Sequence, residues 1–197
     1  MRTTALVAIL SICIAAAPPA SAFVVCPGTA FEFEYARDSY TYLGNGAIQF
    51  ADGRIGTVDK YGNLLTAGDV TYKPHSNEVP PKGRYTMGKK WSLKWSKIVG
   101  GELNLEVEQV CELYKLEDKE GGGITFKGAF KFRCISNWNN LAKATKTRTF
   151  TTFWIAPDKN GYPIRLSRVD HALNPDGSTG ESLGRSRLVS LTGLCDK

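Results

Sequence analysis

LNLEVEQVCELYKLEDKEGGGITFKGAFKFRCI, residues 103–135, alternates in steps of two on both sides of a triple glycine. In the first arm the odd positions Leu103, Leu105, Val107, Gln109, Cys111 and Leu113 make the apolar face. In the second arm the even positions Ile124, Phe126, Gly128, Phe130, Phe132 and Cys134 do so. Successive side chains of a strand point to opposite faces, whereas an amphipathic helix would repeat near 3.6. Two such arms joined by Gly121-Gly122-Gly123 predict a long antiparallel hairpin with one buried face. Cys111 and Cys134 both fall on that face, which makes them natural disulfide partners.

The same period extends outward in both directions. Trp91–Val99 sets Trp91, Leu93, Trp95 and Lys97 against Ser92, Lys94 and Ser96. Phe31-Glu-Phe33-Glu-Tyr35 opens the series as a strand. Ala47–Ala51 and Arg54–Asp59 flank Asp52-Gly53, a pair suited to the positive-φ turn of a hairpin. Tyr61-Gly62-Asn63 turns the chain again before Asp69–Tyr72, and Pro74–Lys82 is a proline-punctuated break. Thr149–Ile155, Pro163–Leu173 and Arg187–Leu194 complete the strands, while Asn137–Thr145 is the one short candidate for a helix. Roughly nine or ten strands with turns between them predict an all-β, antiparallel, strongly curled sheet or open half-barrel. It forms one domain over residues 23–197, with a hairpin meander at 44–74 and the main sheet at 87–195.

The first 22 residues set the compartment. Arg2 gives a positive start, Ala5–Ala17 a short apolar run, and Ala20-Ser21-Ala22 the small-residue pattern that a signal peptidase cuts. The run is too short to remain as a membrane span. Cleavage after Ala22 places the protein in the periplasm or outside the cell, with no transmembrane segment left. It removes Cys13 and leaves Cys26, Cys111, Cys134 and Cys195, an even set that reads as two disulfides in an oxidising compartment. With Cys111 joined to Cys134, Cys26 is left to meet Cys195. No C-x-x-C is present and the chain has 2 histidines, so no metal site or cofactor is expected.

Losing Arg2 takes the basic count from 25 to 24, against 19 acidic residues. Basic residues gather at Lys89-Lys90, Lys94, Lys97 and at Lys143, Lys146, Arg148. Such a surface attracts acidic glycans or phosphate head groups, and otherwise serves as a solvated face. An exported chain without a recognisable nucleic-acid motif is not expected to bind nucleic acid.

Three segments resemble the TapB-like family, a domain of unknown function in exported bacterial proteins. Ile124–Arg133 (ITFKGAFKFR) is similar to its "V-x-V-x-A-G-x-F-x-x-F-x" strand. Thr152–Arg165 (TFWIAPDKNGYPIR) is similar to its "W-Y-A-P-x-x-G-x-x-V-R" segment, and Met87–Trp91 to its "V-G-K-x-W" strand start. Together they span residues 87–168. Ile155 replaces the aromatic after Trp, Lys127 the usual Pro before Gly, and one extra residue sits between Pro157 and Gly161. The resemblance implies an antiparallel half-barrel like that of periplasmic lipoprotein carriers, and it supplies no catalytic residues.

Gly180-Glu-Ser182-Leu-Gly184 matches the G-x-S-x-G elbow of serine hydrolases, but no His follows Ser182 and the segment reads as a polar turn. His75 lies in the proline-rich break, and in Asp170-His171 the two side chains point to opposite faces of a strand. Glu106 with Glu108, and Glu32 with Glu34, share strand faces at about 6.5–7 Å, a spacing glycosidases use. Alternating Glu on a solvated face is far commoner.

The residues therefore predict binding and not catalysis. The expected site is a concave, aromatic-lined sheet of Trp91, Trp95, Phe126, Phe130, Phe132 and Trp154, holding an apolar or amphiphilic envelope component. Lys89, Lys90, Lys94 and Arg148 would form its anionic rim. The alternative is a structural or protein-interaction module with a filled core, and a glycan-active enzyme stands third. Partners expected on these readings are a lipid, a glycan or another envelope protein.

Overall fold

The computed structural model describes residues 24–59, 63–75, 86–157 and 162–195, which run almost entirely as strand. Strand β1 (Ala30–Phe33) leads through one 3-10 turn (Ala36–Asp38) into short strands β2 (Tyr40–Gly44), β3 (Ala47–Phe50), β4 (Ile55–Val58), β5 (Leu64–Ala67) and β6 (Val70–Pro74). Longer ones follow: β7 (Lys90–Val99), β8 (Glu102–Gly121), β9 (Ile124–Asn140), β10 (Thr145–Pro157), β11 (Pro163–Leu173) and β12 (Thr179–Thr192). Each strand pairs antiparallel with its successor, and β12 returns to β1, which also pairs with β2. The expected curled sheet is present, and its curl runs to a closed barrel. Closure removes the two free edges that an open half-barrel would expose to stray pairing. The leader, residues 1–22, lies outside the described residues, as does most of the turn at 61–63 and of the proline-rich break.

Cross-strand partners share a face, so the registers follow the wall from strand to strand. One row runs Trp91, Cys111, Cys134, Thr151, and the next runs Leu113, Phe132, Phe153. Cys111, Cys134, Leu113 and Phe132 are all at most 2% exposed, so this face looks inward. The alternate row Lys94, Glu108, Asn137, Arg148 is exposed and looks outward. Burying Phe132 and Leu113 stabilises the fold by about 1.5–3 kcal/mol each.

A second buried cluster joins Phe31, Phe33, Leu188 and Leu191 to Phe126 on the far end of the long hairpin. The tip of that hairpin makes the connection. The Gly122 amide donates to the Leu188 carbonyl at 3.0 Å. Gly122 has φ +61, and a Cβ there would stand 2.8 Å from Leu191 Cβ. Only glycine lets the tip lie this close to β12.

Several expectations change in detail. Asn137–Thr145 is no helix: β9 continues to Asn140 and a turn with Ala144 at φ 50 leads into β10. Its four residues at the β9 end belong to the sheet because they pair on both sides, with β8 and β10. The segment Gly180–Gly184 is not a turn but lies inside β12. Leu103 departs from the buried odd positions, since a register shift at Lys97/Ile98 intervenes and leaves it 46% exposed.

Both expected disulfides form, Cys111–Cys134 across the β8–β9 hairpin and Cys26–Cys195 across a sequence separation of 169. In the loop-entropy picture the first contributes about 3 kcal/mol and the second about 5 kcal/mol. Non-reducing peptide mapping should therefore recover these two links. Cys26→Ala with Cys195→Ala should lower the denaturation midpoint more than Cys111→Ala with Cys134→Ala. The opposite order would mean that the hairpin link acts mainly through core packing.

Candidate functional site

On the outer face of β7–β10 two aligned rows of polar residues form a groove of about 680 Å³. One row is Lys94, Glu108, Asn137 and Arg148, and the other is Ser96, Glu106, Asn139 and Lys146. They share a face because each stands two residues from its counterpart on an extended strand. The residues between them, Trp95, Val107, Trp138 and Thr147, are paired in register and also line the groove.

The groove is ordered by short-range bonds. Lys94 Nζ pairs with Glu108 Oε1 at 2.5 Å, and that hydrogen bond pushes the Lys94 ammonium above its ordinary value. Asn139 Nδ2 donates to Glu106 Oε2 at 3.2 Å. His75 closes one end: its amide donates to the Lys94 carbonyl at 2.8 Å, and its Nε2 shares a hydrogen bond with the buried Ser96 hydroxyl. Lys146 and Arg148 are exposed and have no carboxylate partner among the described residues.

The aromatic set expected to hold a ligand is divided by the fold. Trp91 packs edge-on against Phe132 at 5.6 Å, and Trp95 against Trp138 at 5.6 Å, all on the inner face. Phe126, Phe130 and Phe132 are buried at 4%, 7% and 1% exposure. Trp154 is half-buried and packs against the cluster that holds Phe126, but not beside Phe132. It pairs with Lys131 on the outer face, and Phe153 takes the inner place, stacked on Phe132 at 5.0 Å. Of the expected rim, Lys94 and Arg148 line the groove together with Trp95 and Trp138, while Lys89 and Lys90 stand exposed at the start of β7.

The serine-elbow motif places Ser182 opposite His171 in the β11–β12 register. Asp170 is held on the other face by the Thr151 hydroxyl at 2.6 Å and by Arg168 Nε at 2.8 Å. The three groups thus cannot act as a relay. Glu32 and Glu34 are exposed, and Glu34 accepts from Arg185 at 3.1 Å. Glu106 and Glu108 do share a face as the alternation requires, and both line the groove. From the sequence, Asn137 and Asn139 fell in a candidate helix and Lys146 in a basic cluster, because the sequence does not reveal that four strands bring them together.

No family model matches the chain, and no curated protein does. Among solved structures it is similar to a protein of Bacteroides fragilis described as exported and of YmcC-like fold. That likeness has 13% identity and a TM-score of 0.49, and covers 89% of this chain and 100% of the other. It is too slight to carry an argument about function. The TapB-like resemblance of residues 87–168 rests on its three motif segments alone.

A second outer cluster surrounds Trp154. Its Nε1 donates to Glu117 Oε1 at 2.6 Å, and Lys119 and Lys131 stand over its ring at 4.4 and 4.7 Å. Burial pushes the Glu117 carboxyl upward, but hydrogen bonds from Lys115, Trp154 and Lys131 outweigh it and hold the group at about 2. A carboxyl lowered on folding stabilises the fold above its ordinary value of 4.5 and loses that contribution as pH falls toward 2. The melting temperature should therefore fall across that window in the wild type and fall less in Glu117→Gln. Equal acid slopes for the two would remove Glu117 from the acid response.

Proposed function

We propose that this is an exported envelope barrel that binds a polyhydroxylated ligand, a glycan segment, in the outer groove of β7–β10. The carrying observation is the groove itself, where carboxylates, amides and cations stand in two rows. Strands lie about 4.8 Å apart and same-face residues about 7 Å apart, so donors and acceptors recur at the scale of sugar hydroxyls. A volume of about 680 Å³ is in the range of a ligand site.

Two disulfides favour an oxidising compartment, in keeping with the leader sequence and with the periplasm or exterior. Among the described residues no helix is long and apolar enough to cross a membrane. Binding is favoured over hydrolysis by the setting of the two groove carboxylates. A general acid is kept protonated by an apolar, dehydrated setting. Glu106 and Glu108 are exposed and are engaged by an amide and an ammonium.

The apolar-ligand reading loses support because Leu113, Phe130 and Phe132 pack against one another, with Trp91 and Phe153 beside them. That same packing favours the second reading, an interaction module with a filled core.

Titration calorimetry with a panel of neutral and acidic oligosaccharides tests the proposal. Saturable binding is expected, and Asn137→Ala with Asn139→Ala should weaken it about tenfold, the worth of one or two hydrogen bonds. The melting temperature should stay within a few degrees, because both side chains face outward. Binding that ignores the double variant, or no binding across the panel, would return the protein to the interaction-module reading.

A further inference from the structure

We infer that the groove is charge-polarised and that its β10 side is an anion subsite, so the ligand is an acidic glycan. This rests on the groove reading above and adds the substrate class. Of the three cations in the groove, Lys94 is already paired with Glu108. Glu106 is already engaged by the Asn139 amide. Lys146 and Arg148 are left exposed, two residues apart on one face of β10.

Their surroundings keep them available. On the β9 side their register partners are Asn139 and Asn137, which are neutral and cannot neutralise a guanidinium. On the other side the β10–β11 pairing starts at Thr149 with Ala172, and the next and last residue of β11, Leu173, carries no charge. Lys143, exposed in the β9–β10 turn, adds a third positive charge nearby.

The acidic residues of the groove sit on β8 and these cations on β10, with two amides on β9 between. The β8-to-β10 separation is about 9.5 Å, twice the strand spacing. A saccharide lying across the strands would meet acceptors for its hydroxyls at β8 and a receptor for a negative group at β10. Arg148 presents a planar fork that takes a carboxylate, sulfate or phosphate through two parallel hydrogen bonds, and Lys146 adds a point charge. The shared chemistry is a singly or doubly charged oxyanion on a sugar.

The test uses the mature, disulfide-intact chain in low salt. Oligogalacturonate, its methyl ester, a sulfated oligosaccharide and inorganic phosphate are titrated in parallel. The charged oligosaccharides should bind at least tenfold more tightly than the methyl ester, and about 0.5 M salt should erase most of that difference. Preference for carboxylate or for sulfate identifies which oxyanion the fork takes, and phosphate alone should bind far more weakly than either. Arg148→Ala and Lys146→Ala should abolish the preference, bringing acid and ester to equal affinity, with the melting temperature within a few degrees of the wild type. Equal affinity for acid and ester overturns the anion subsite but leaves glycan binding standing. A preference that survives both substitutions overturns it too, and failure of every saccharide to bind overturns both proposals together.

Discussion

Phe31 stands on a strand of four residues that is hydrogen-bonded along both edges, to β12 at Leu191 and to β2 at Tyr40. That double pairing turns a long meander into a ring, and the rest of the architecture depends on it. In a closed ring every strand position has a defined side, inner or outer, and a one-residue slip would exchange the two. The buried Phe31 itself has 0% exposure because β2, β12 and Tyr162 surround its ring. The terminal disulfide acts at the same place. Val24 bridges to Cys195, and Cys26 is bonded to Cys195, so these first and last described segments are fastened to each other beside the closing strand.

Division into two faces explains why the chain can be rich in aromatic residues and still present a polar groove. The inner rows combine Trp91, Phe132 and the Cys111–Cys134 bond into a packed wall, and the neighbouring positions are released to carry charge. Lys94, Glu108, Asn137 and Arg148 are held in line by the same hydrogen-bond ladders that align Trp95, Val107, Trp138 and Thr147 next to them. Groove geometry thus inherits the rigidity of the barrel wall, which suits recognition by several individually weak polar contacts. The bond from Trp138 Nε1 to Thr149 Oγ1 at 2.8 Å fixes one of the aromatics that line the groove.

The all-β class, the long hairpin, the Asp52-Gly53 turn and the Cys111–Cys134 pair were legible because each is a local pattern, and Cys26–Cys195 then followed by elimination. Period two and a positive-φ glycine need no knowledge of the distant chain; Gly53 indeed has φ 85. Closure was not legible, since it depends on short strands β2–β6 whose four or five residues carry little alternation. That Phe153 and not Trp154 stacks beside Phe132 was not legible, since in Phe153-Trp154 either residue could take that face and only the pairing of Phe153 with Phe132 decides. Ser182 was placed in a turn because glycine and polar residues resemble a loop, yet β11 holds the segment as strand by pairing. The groove itself arises from register between four strands, a property of tertiary structure and not of any one segment.

Nuclear Overhauser contacts at Phe31 test the closed ring most directly. In isotope-labelled mature protein, the backbone of Phe31 should show cross-strand contacts to both Leu191 and Tyr40, with slow amide exchange along Ala30–Phe33. Contacts to Leu191 alone, with β2 amides exchanging freely, would describe an open sheet and undo the assignment of inner and outer faces on which the groove depends.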